Sequence, residues 1–181
     1  MARLRGDRGC GIVAPMQRPS DDEYDAYFRP YVNSAPGDDV FAALEAQADE
    51  AESRFAALDD ARAMHRYAEG KWSVKDVLQH ITDADRIFAT RVLRFARGET
   101  AEQPGFDHDR YVAHAQAVAE LASEFALVRR ANVALYRSLP EETHALTGVA
   151  NNVRVSVRTL PWLCAGHVAH HFEVLGERYG V

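Results

Sequence analysis

The sequence predicts an all-α protein folded as a four-helix bundle. Apolar residues recur at steps of three and four over four long segments, which is the spacing of one face of an α-helix. Capping residues, glycines or prolines bound several of these segments. No segment shows the convincing alternation of apolar and polar residues that marks a half-buried strand. Four such helices without convincing strands favour a bundle with one shared core.

The first long helix is predicted from Asp39 to about Leu58. An aspartate suits the N-cap because its carboxylate accepts hydrogen bonds from free N–H groups of the first turn. Helical spacing is shown by Phe41, Leu44, Ala48, Ala51, Phe55 and Leu58. Upstream, prolines and a glycine interrupt the aromatic residues of segment 17–38, so we expect a short helical turn followed by a loop.

The second long helix is predicted to begin after Ser73 and to end at Gly98. Ser73 and Asp76 have the spacing of a capping box, and a glycine commonly ends a helix. His80 lies in the second turn of this helix. It shares the apolar stripe with Val77, Ile81, Ala84 and Phe88.

The third long helix is predicted to follow a loop at 99–109 and a short helical piece around Tyr111. Its apolar seam consists of Val118, Leu121, Phe125, Val128, Asn132, Leu135 and Leu139. Pro140 ends it, because proline lacks the N–H that a helix interior needs.

A connector at 141–155 leads to the fourth long helix, which Ser156 or Thr159 could cap. Pro161 is tolerated there in the first turn. The apolar stripe of this helix contains Leu160, Leu163, Cys164, Val168, Val174 and Leu175.

Composition limits the class of protein. A chain of 181 residues fits one domain, which we place at 16–181, with residues 1–15 as a flexible N-terminal extension. A net charge of -6 and a pI of about 5.7 argue against nucleic acid as a partner, since phosphate binding needs a basic surface. Cys10 and Cys164 suggest no disulfide framework, so we expect a reducing cytoplasm. Neither a membrane span nor a secretory signal is recognisable in the sequence.

Two histidines on the fourth helix predict a metal site. His167 and His171 are four residues apart, so their rings stack on one side of the helix, and that side is apolar. His80 is a third inward histidine from another helix. Three neutral imidazoles leave one coordination position for water or substrate, the arrangement of catalytic zinc sites. The alternative for the pair is that both rings pack against other groups or tilt to solvent.

The sequence resembles the DinB/YfiT superfamily of metalloenzymes. The resemblance is carried by GKWSVKDVLQH, RFARGE, PGFD and GHVAHHFEVLGERY, in this order, and it spans about 17–179. It implies an up-down-down-up four-helix bundle with the site between the second and fourth long helices. It also implies His80, His167 and His171 as metal ligands, zinc or nickel as the ion, and a homodimer.

Three functions are compatible with such a site. The resemblance favours a transferase that activates a low-molecular-weight thiol of the bacillithiol type for attack on an electrophilic substrate. A thiolate is the reactive form, and a dication can deprotonate a coordinating thiol. The first alternative is a hydrolase, in which the ion activates water. The second is a non-catalytic metal-binding stress protein, in which the ion stabilises the bundle.

Other polar residues near these histidines are interpreted as structural. Cys164 could serve as a fourth ligand, but a buried free thiol is the preferred interpretation. His170 points about 100° away from His171, so it is expected to be exposed or to contact a ligand residue, and not to be a ligand itself. The other side chains of interest are aspartates, arginines, histidines and aromatic residues. Asp76 is taken as a cap and Asp83 and Asp85 as solvated charges, with the alternative that one of the three accepts the second ring hydrogen of His80. Arg86, Arg91, Arg94 and Arg97 are taken as a solvated face, with the less favoured alternative that they guide an anionic substrate. His65, His108, His114 and His144 are taken as residues without a catalytic role, and Trp72, Phe106 and Tyr111 as residues that line a pocket mouth or the core.

Overall fold

The computed structural model describes residues 15–112 and 116–181, which form helices and one β-hairpin. The helices are α1 (Arg29–Ser34), α2 (Val40–Phe55), α3 (Asp60–Ala63), α4 (Val74–Ala96), α5 (His108–Tyr111), α6 (Val118–Arg137) and α7 (Thr159–Tyr179), and the strands are β1 (Thr147–Ala150) and β2 (Val153–Ser156). Short 3-10 turns lie at Ala26–Phe28 and Glu141–Thr143. All but the last residue of the predicted N-terminal extension lies outside the described residues, and so does His114.

The four long helices α2, α4, α6 and α7 build the bundle. Both α2 and α4 pack against α6 and α7, so α2 and α4 occupy opposite corners. The predicted fold class is therefore confirmed. Within the described parts of the chain, no helix is both long enough and apolar enough to cross a bilayer.

The predicted helix starts are correct where a side chain caps the helix. Asp39 accepts hydrogen bonds from the N–H groups of Phe41 and Ala42 at the start of α2. Ser73 and Asp76 form a reciprocal capping box at the start of α4. The first helix ends at Phe55, earlier than predicted, and the separate short helix α3 follows it.

The connector after α6 contains a β-hairpin that the sequence pattern did not predict. Strands β1 and β2 are antiparallel, and Ala150 pairs with Val153. Asn151 and Asn152 form the turn at φ 53° and 62°, as a type I′ turn requires, and asparagine tolerates this left-handed region. Each strand has four residues, which is too short for an alternation to stand out.

The hairpin packs closely on α4 at Gly148. A Cβ atom at this position would collide with the ring of Phe95. Gln103 forms a parallel bridge with Ala150, so the loop after α4 runs beside the hairpin. Together, this loop and the hairpin cover one end of the bundle.

The bundle core is divided into two apolar clusters. One contains the N-terminal half of α2 and the C-terminal halves of α4 and α6, together with Leu160, Trp162 and Leu163 of α7. The other contains the opposite halves, including Phe55, Ile81, Phe125 and Phe172. Buried polar side chains occupy the level between the two clusters on every long helix.

We call this level the polar layer, formed by Gln47, Asp85, Arg129, Asn132 and Cys164. The ion pair at its centre is fully buried, with Arg129 Nη2 2.9 Å from Asp85 Oδ1 and Arg129 Nε 2.6 Å from Asp85 Oδ2. The second contact is a close ion pair but not a hydrogen bond. Gln47 accepts from Arg129 and donates to the carbonyl of Ala165. Asn132 donates to the backbone carbonyl of Asp85, so one network connects all four long helices.

An ion pair also fixes the N-terminal segment to the start of α7. Arg158 donates from Nε and Nη2 to the carboxylate of Glu23 at 2.7 and 2.5 Å. Burial raises the pKa of Glu23, but the hydrogen bonds from Arg158 and Ser20 outweigh it and lower that pKa to about 2. A depressed folded-state pKa stabilises the protein above the ordinary glutamate value of 4.5. This stabilisation is lost as the pH falls towards 2.

Glu23→Gln is therefore expected to lower the free energy of unfolding at pH 7 by about 1–2 kcal/mol. The difference from the unmodified protein should shrink between about pH 5 and pH 2. Urea unfolding across this range measures it, with exposed Asp22→Asn as the control. A difference that is equal at pH 7 and pH 2 would contradict the assignment.

Candidate metal centre

The ring nitrogens of His80, His167 and His171 converge on one point. His167 Nε2 lies 3.1 Å from His80 Nε2 and 3.1 Å from His171 Nε2. All three potential ligand atoms lie within 4.8 Å of one another. The structure thus brings together the three residues that the sequence suggested as ligands.

Helix geometry explains the convergence. His167 and His171 are one turn apart on α7, so their rings leave the same side of that helix. His80 is on α4, which packs directly against α7. Their facing sides therefore place the third ring beside the other two.

The three rings are uncharged near neutral pH. Burial, with a smaller effect from His108, lowers the pKa of His80 to about 4. Burial, with a smaller effect from His80, lowers the pKa of His171 to about 3. Burial also holds the pKa of His167 well below its ordinary value. Each ring then has one nitrogen with a free lone pair.

This donor set fits a divalent metal ion. Zn–N bonds of about 2.0–2.1 Å in a tetrahedral site place ligand nitrogens about 3.3 Å apart, close to the observed separation. The Nδ1 atoms of His80 and His167 are buried without a hydrogen-bond partner among the described residues. If the Nδ1 atoms carry the ring hydrogens, the Nε2 lone pairs face one another, and a cation between them would remove their repulsion.

The histidines form one part of a cavity of about 490 Å³. Aromatic side chains supply much of its wall: Tyr27, Phe28, Tyr31, Trp72, Phe88 and Phe106. The Trp72 ring lies 4.8 Å from the His80 ring, and its Nε1 donates to Asp109. The cavity therefore combines an apolar wall with a few polar groups, as small-molecule sites do.

The N-terminal helix α1 closes one side of the cavity. It packs on α7 at Gly166, where a Cβ atom would collide with the carbonyl oxygen of Tyr31. This close approach places the Tyr31 ring 5.7 Å from the rings of both His167 and His170. Gly166 thus permits an aromatic side chain to cover the histidines.

Several interpretations of neighbouring residues need correction or refinement. Trp72 and Phe106 line the cavity, whereas Tyr111 packs on Phe106 outside the lining. His108 lies at the cavity with its ring 5.0 Å from that of His80, although its sequence surroundings suggested no role in the site. His170 is exposed, as expected.

Two charged residues of α4 are buried, although the sequence analysis interpreted them as solvated. Asp76 is a cap as expected, and Asp83 pairs with Arg86 near the surface. Asp85 is fully buried in the polar layer, so its interpretation as a solvated charge is wrong. Arg91 is 8% exposed and lines the cavity, so it does not belong to a solvated face.

Cys164 is a buried thiol, and its contacts do not suit a metal ligand. Its Sγ donates to Asp85 Oδ1 at 2.7 Å. Burial raises the pKa of this thiol well above its ordinary value, with a further contribution from the Asp85 charge. Because metal ligation requires a thiolate, these contacts argue against Cys164 as a fourth ligand.

Comparisons with known proteins agree with this architecture. The chain superposes on YfiT from Bacillus subtilis with a TM-score of 0.66 and 16% identity, over 78% of this chain and 86% of that one. YfiT is described as "a probable metal-dependent hydrolase with an unusual four-helix bundle topology". No curated protein matches the sequence significantly. The family model of the DinB superfamily matches residues 43–175, and the chain belongs to this superfamily.

Proposed function

We propose that this protein is a metal-dependent enzyme whose ion is held by His80, His167 and His171. The observation that carries the proposal is the convergence of three neutral ring nitrogens at the wall of a cavity. Zinc and nickel both suit three imidazoles, because late divalent ions prefer such ligands. In line with the family resemblance, we also propose a homodimer.

The cavity and the core favour a catalytic role over a purely structural one. Three imidazoles leave a coordination position free, whereas structural zinc sites are closed by four protein ligands. A volume of about 490 Å³ lies in the range of small-molecule sites. Two apolar clusters and the polar layer already connect the helices, so the fold does not depend on an ion for its core.

The leading candidate is a transferase that uses a low-molecular-weight thiol of the bacillithiol type. A bound zinc or nickel ion would supply the positive charge that converts a coordinating thiol to its nucleophilic thiolate. Trp72 and Phe88 would exclude water from the thiolate and hold an electrophilic substrate in the apolar part of the cavity. No cysteine of the chain is needed as a nucleophile, in agreement with the burial of Cys164.

Hydrolysis is the second candidate, favoured by one feature of the cavity and by the description of YfiT. Asp109 is the one carboxylate among the described lining residues, and a hydrolase uses such a group to accept a proton from water. Its Oδ1 already accepts a hydrogen bond from Trp72 Nε1, so this oxygen is engaged by the protein and not directed at a water molecule. This contact is why we place the transferase first.

The two reactions are distinguished by thiol dependence. The metal-loaded protein is to be incubated with 1-chloro-2,4-dinitrobenzene with and without bacillithiol, and separately with 4-nitrophenyl acetate. We expect arylation of bacillithiol above the uncatalysed rate and no thiol-independent ester cleavage. His171→Ala should abolish the arylation, and the exposed His170→Ala should keep it. Ester cleavage without thiol would replace the transferase with the hydrolase.

A further inference from the structure

Arg91 is a buried cation without a carboxylate partner among the described residues. Its side chain is 8% exposed and lines the cavity. Nη2 donates to the backbone carbonyl of Pro104 at 2.9 Å, and this is its one hydrogen bond to a described residue. A charged guanidinium in such a place is costly unless an opposite charge accompanies it. Burial accordingly lowers the pKa of Arg91 from its ordinary value.

The free donors of Arg91 reach the cavity. A guanidinium has five N–H donors, and one hydrogen bond to Pro104 leaves most of them unused. Each nitrogen of the Arg91 side chain either makes a hydrogen bond or has some accessible surface. The nitrogens without a partner are therefore accessible. An incoming acceptor could therefore bind them without displacing a protein group.

The guanidinium and the three histidines belong to the same cavity but to different parts of it. Arg91 follows His80 by eleven residues, which is about 20° around α4 and about 16 Å along its axis. The Arg91 guanidinium carbon lies 5.9 Å from the Phe88 ring centroid, and that centroid lies 6.1 Å from the His167 ring. Arg91 is thus within about 12 Å of the His167 ring, with Phe88 between them.

The remaining lining residues define what Arg91 would bind. Arg91 is the one lysine or arginine among the described residues of the cavity wall. Asp109 is the one carboxylate among the same lining residues. One guanidinium with one nitrogen already engaged matches a singly charged carboxylate better than a phosphate dianion, which needs more donors.

We propose that Arg91 binds a carboxylate group of the substrate and places the reacting end of that molecule at the histidine cluster. The aromatic wall around Phe88 would contact the apolar part between the two ends. This inference rests on the cavity being the substrate site of the proposed enzyme. It adds the substrate class, an organic carboxylate, and makes Arg91 a specificity-determining residue.

The proposal is tested by carboxylate selectivity in the full-length protein, with and without nickel. The probes are 3-phenylpropionate and its neutral analogue 3-phenylpropionamide. Their binding is followed by isothermal titration calorimetry and by tryptophan fluorescence, since Trp72 lines the cavity. We expect the carboxylate to bind at least about tenfold more tightly than the amide, since a hydrogen bond between charged groups is worth that much. This preference should be present in the metal-free protein.

Substitutions assign the preference to Arg91. Arg91→Gln should reduce it to less than about twofold while leaving the affinity for the amide unchanged, and Arg91→Lys should keep part of it. Arg97→Gln, at the exposed residue that follows the same helix, removes the same charge and should have no effect. If Arg91→Gln is unstable, the selectivity of the unmodified protein and of Arg91→Lys still decides the question.

Several outcomes would overturn the proposal. They are equal binding of the two probes by the unmodified protein, a preference that survives Arg91→Gln, or an equal loss in Arg97→Gln. A parallel loss of amide binding in Arg91→Gln would assign Arg91 to holding the Pro104 loop instead. Failure to bind nickel would remove the proposed function but leave a metal-free carboxylate preference intact, so the two failures are distinguishable.

Discussion

Substitution of His167 by alanine is expected to lower the affinity for nickel or zinc by more than about a hundredfold. Loss of a residue that merely orients a metal ligand already costs about 10–100-fold. His167 contributes the central nitrogen, 3.1 Å from both of the others, so its loss should be the most severe. His80→Ala and His171→Ala should each reduce metal content as well. Elemental analysis of dialysed protein and titration with each metal provide the measurement.

A neighbouring histidine supplies the matched control. His170 is exposed on the same helix, and His170→Ala should retain the full metal content. All four variants should keep their helical circular dichroism, because the core is formed by other residues. Undiminished metal binding by His167→Ala, or equal loss in His170→Ala, would refute the three-histidine site.

The second large effect is expected from the buried ion pair of the polar layer. Asp85→Asn would leave Arg129 buried without its compensating charge. Breaking such a pair costs about 3–5 kcal/mol, a large part of the roughly 5–15 kcal/mol that stabilises a domain. We therefore expect a marked loss of stability, measured by urea unfolding at pH 7.

Asp83→Asn makes the same chemical change two residues away, where the partner Arg86 is partly exposed. Its cost should stay below about 1 kcal/mol. The double substitution Asp85→Leu with Arg129→Met should recover part of the loss, because it removes both buried charges. Similar losses for Asp85→Asn and Asp83→Asn would show that the buried pair does not stabilise the bundle as proposed.

The sequence predicted what depends on local pattern. Apolar spacing identified the four long helices, and Asp39 and Ser73 marked two of their starts because their side chains act on the adjacent turn. The spacing of His167 and His171 placed both rings on one side of α7. His80 could be added because its position on an apolar stripe made it an inward residue.

What the sequence did not predict depends on packing between distant segments. Asp85 and Arg91 look like other charged residues of α4, and only the approach of α6 and of the Pro104 loop buries them. Arg129 had no pattern to separate it from Arg130 beside it. The hairpin was missed because its strands are short, although two successive asparagines between valine-rich segments are a turn signal.

The polar layer also determines how the bundle is aligned along its axis. If α7 slid past α4 by one turn, about 5.4 Å, Cys164 and the Ala165 carbonyl would move away from Asp85 and Gln47 and leave polar groups facing hydrocarbon. The same slide would carry His167 out of reach of His80. Buried polar contacts thus discriminate against wrong helix alignments, and they also fix the distance between the three histidine nitrogens.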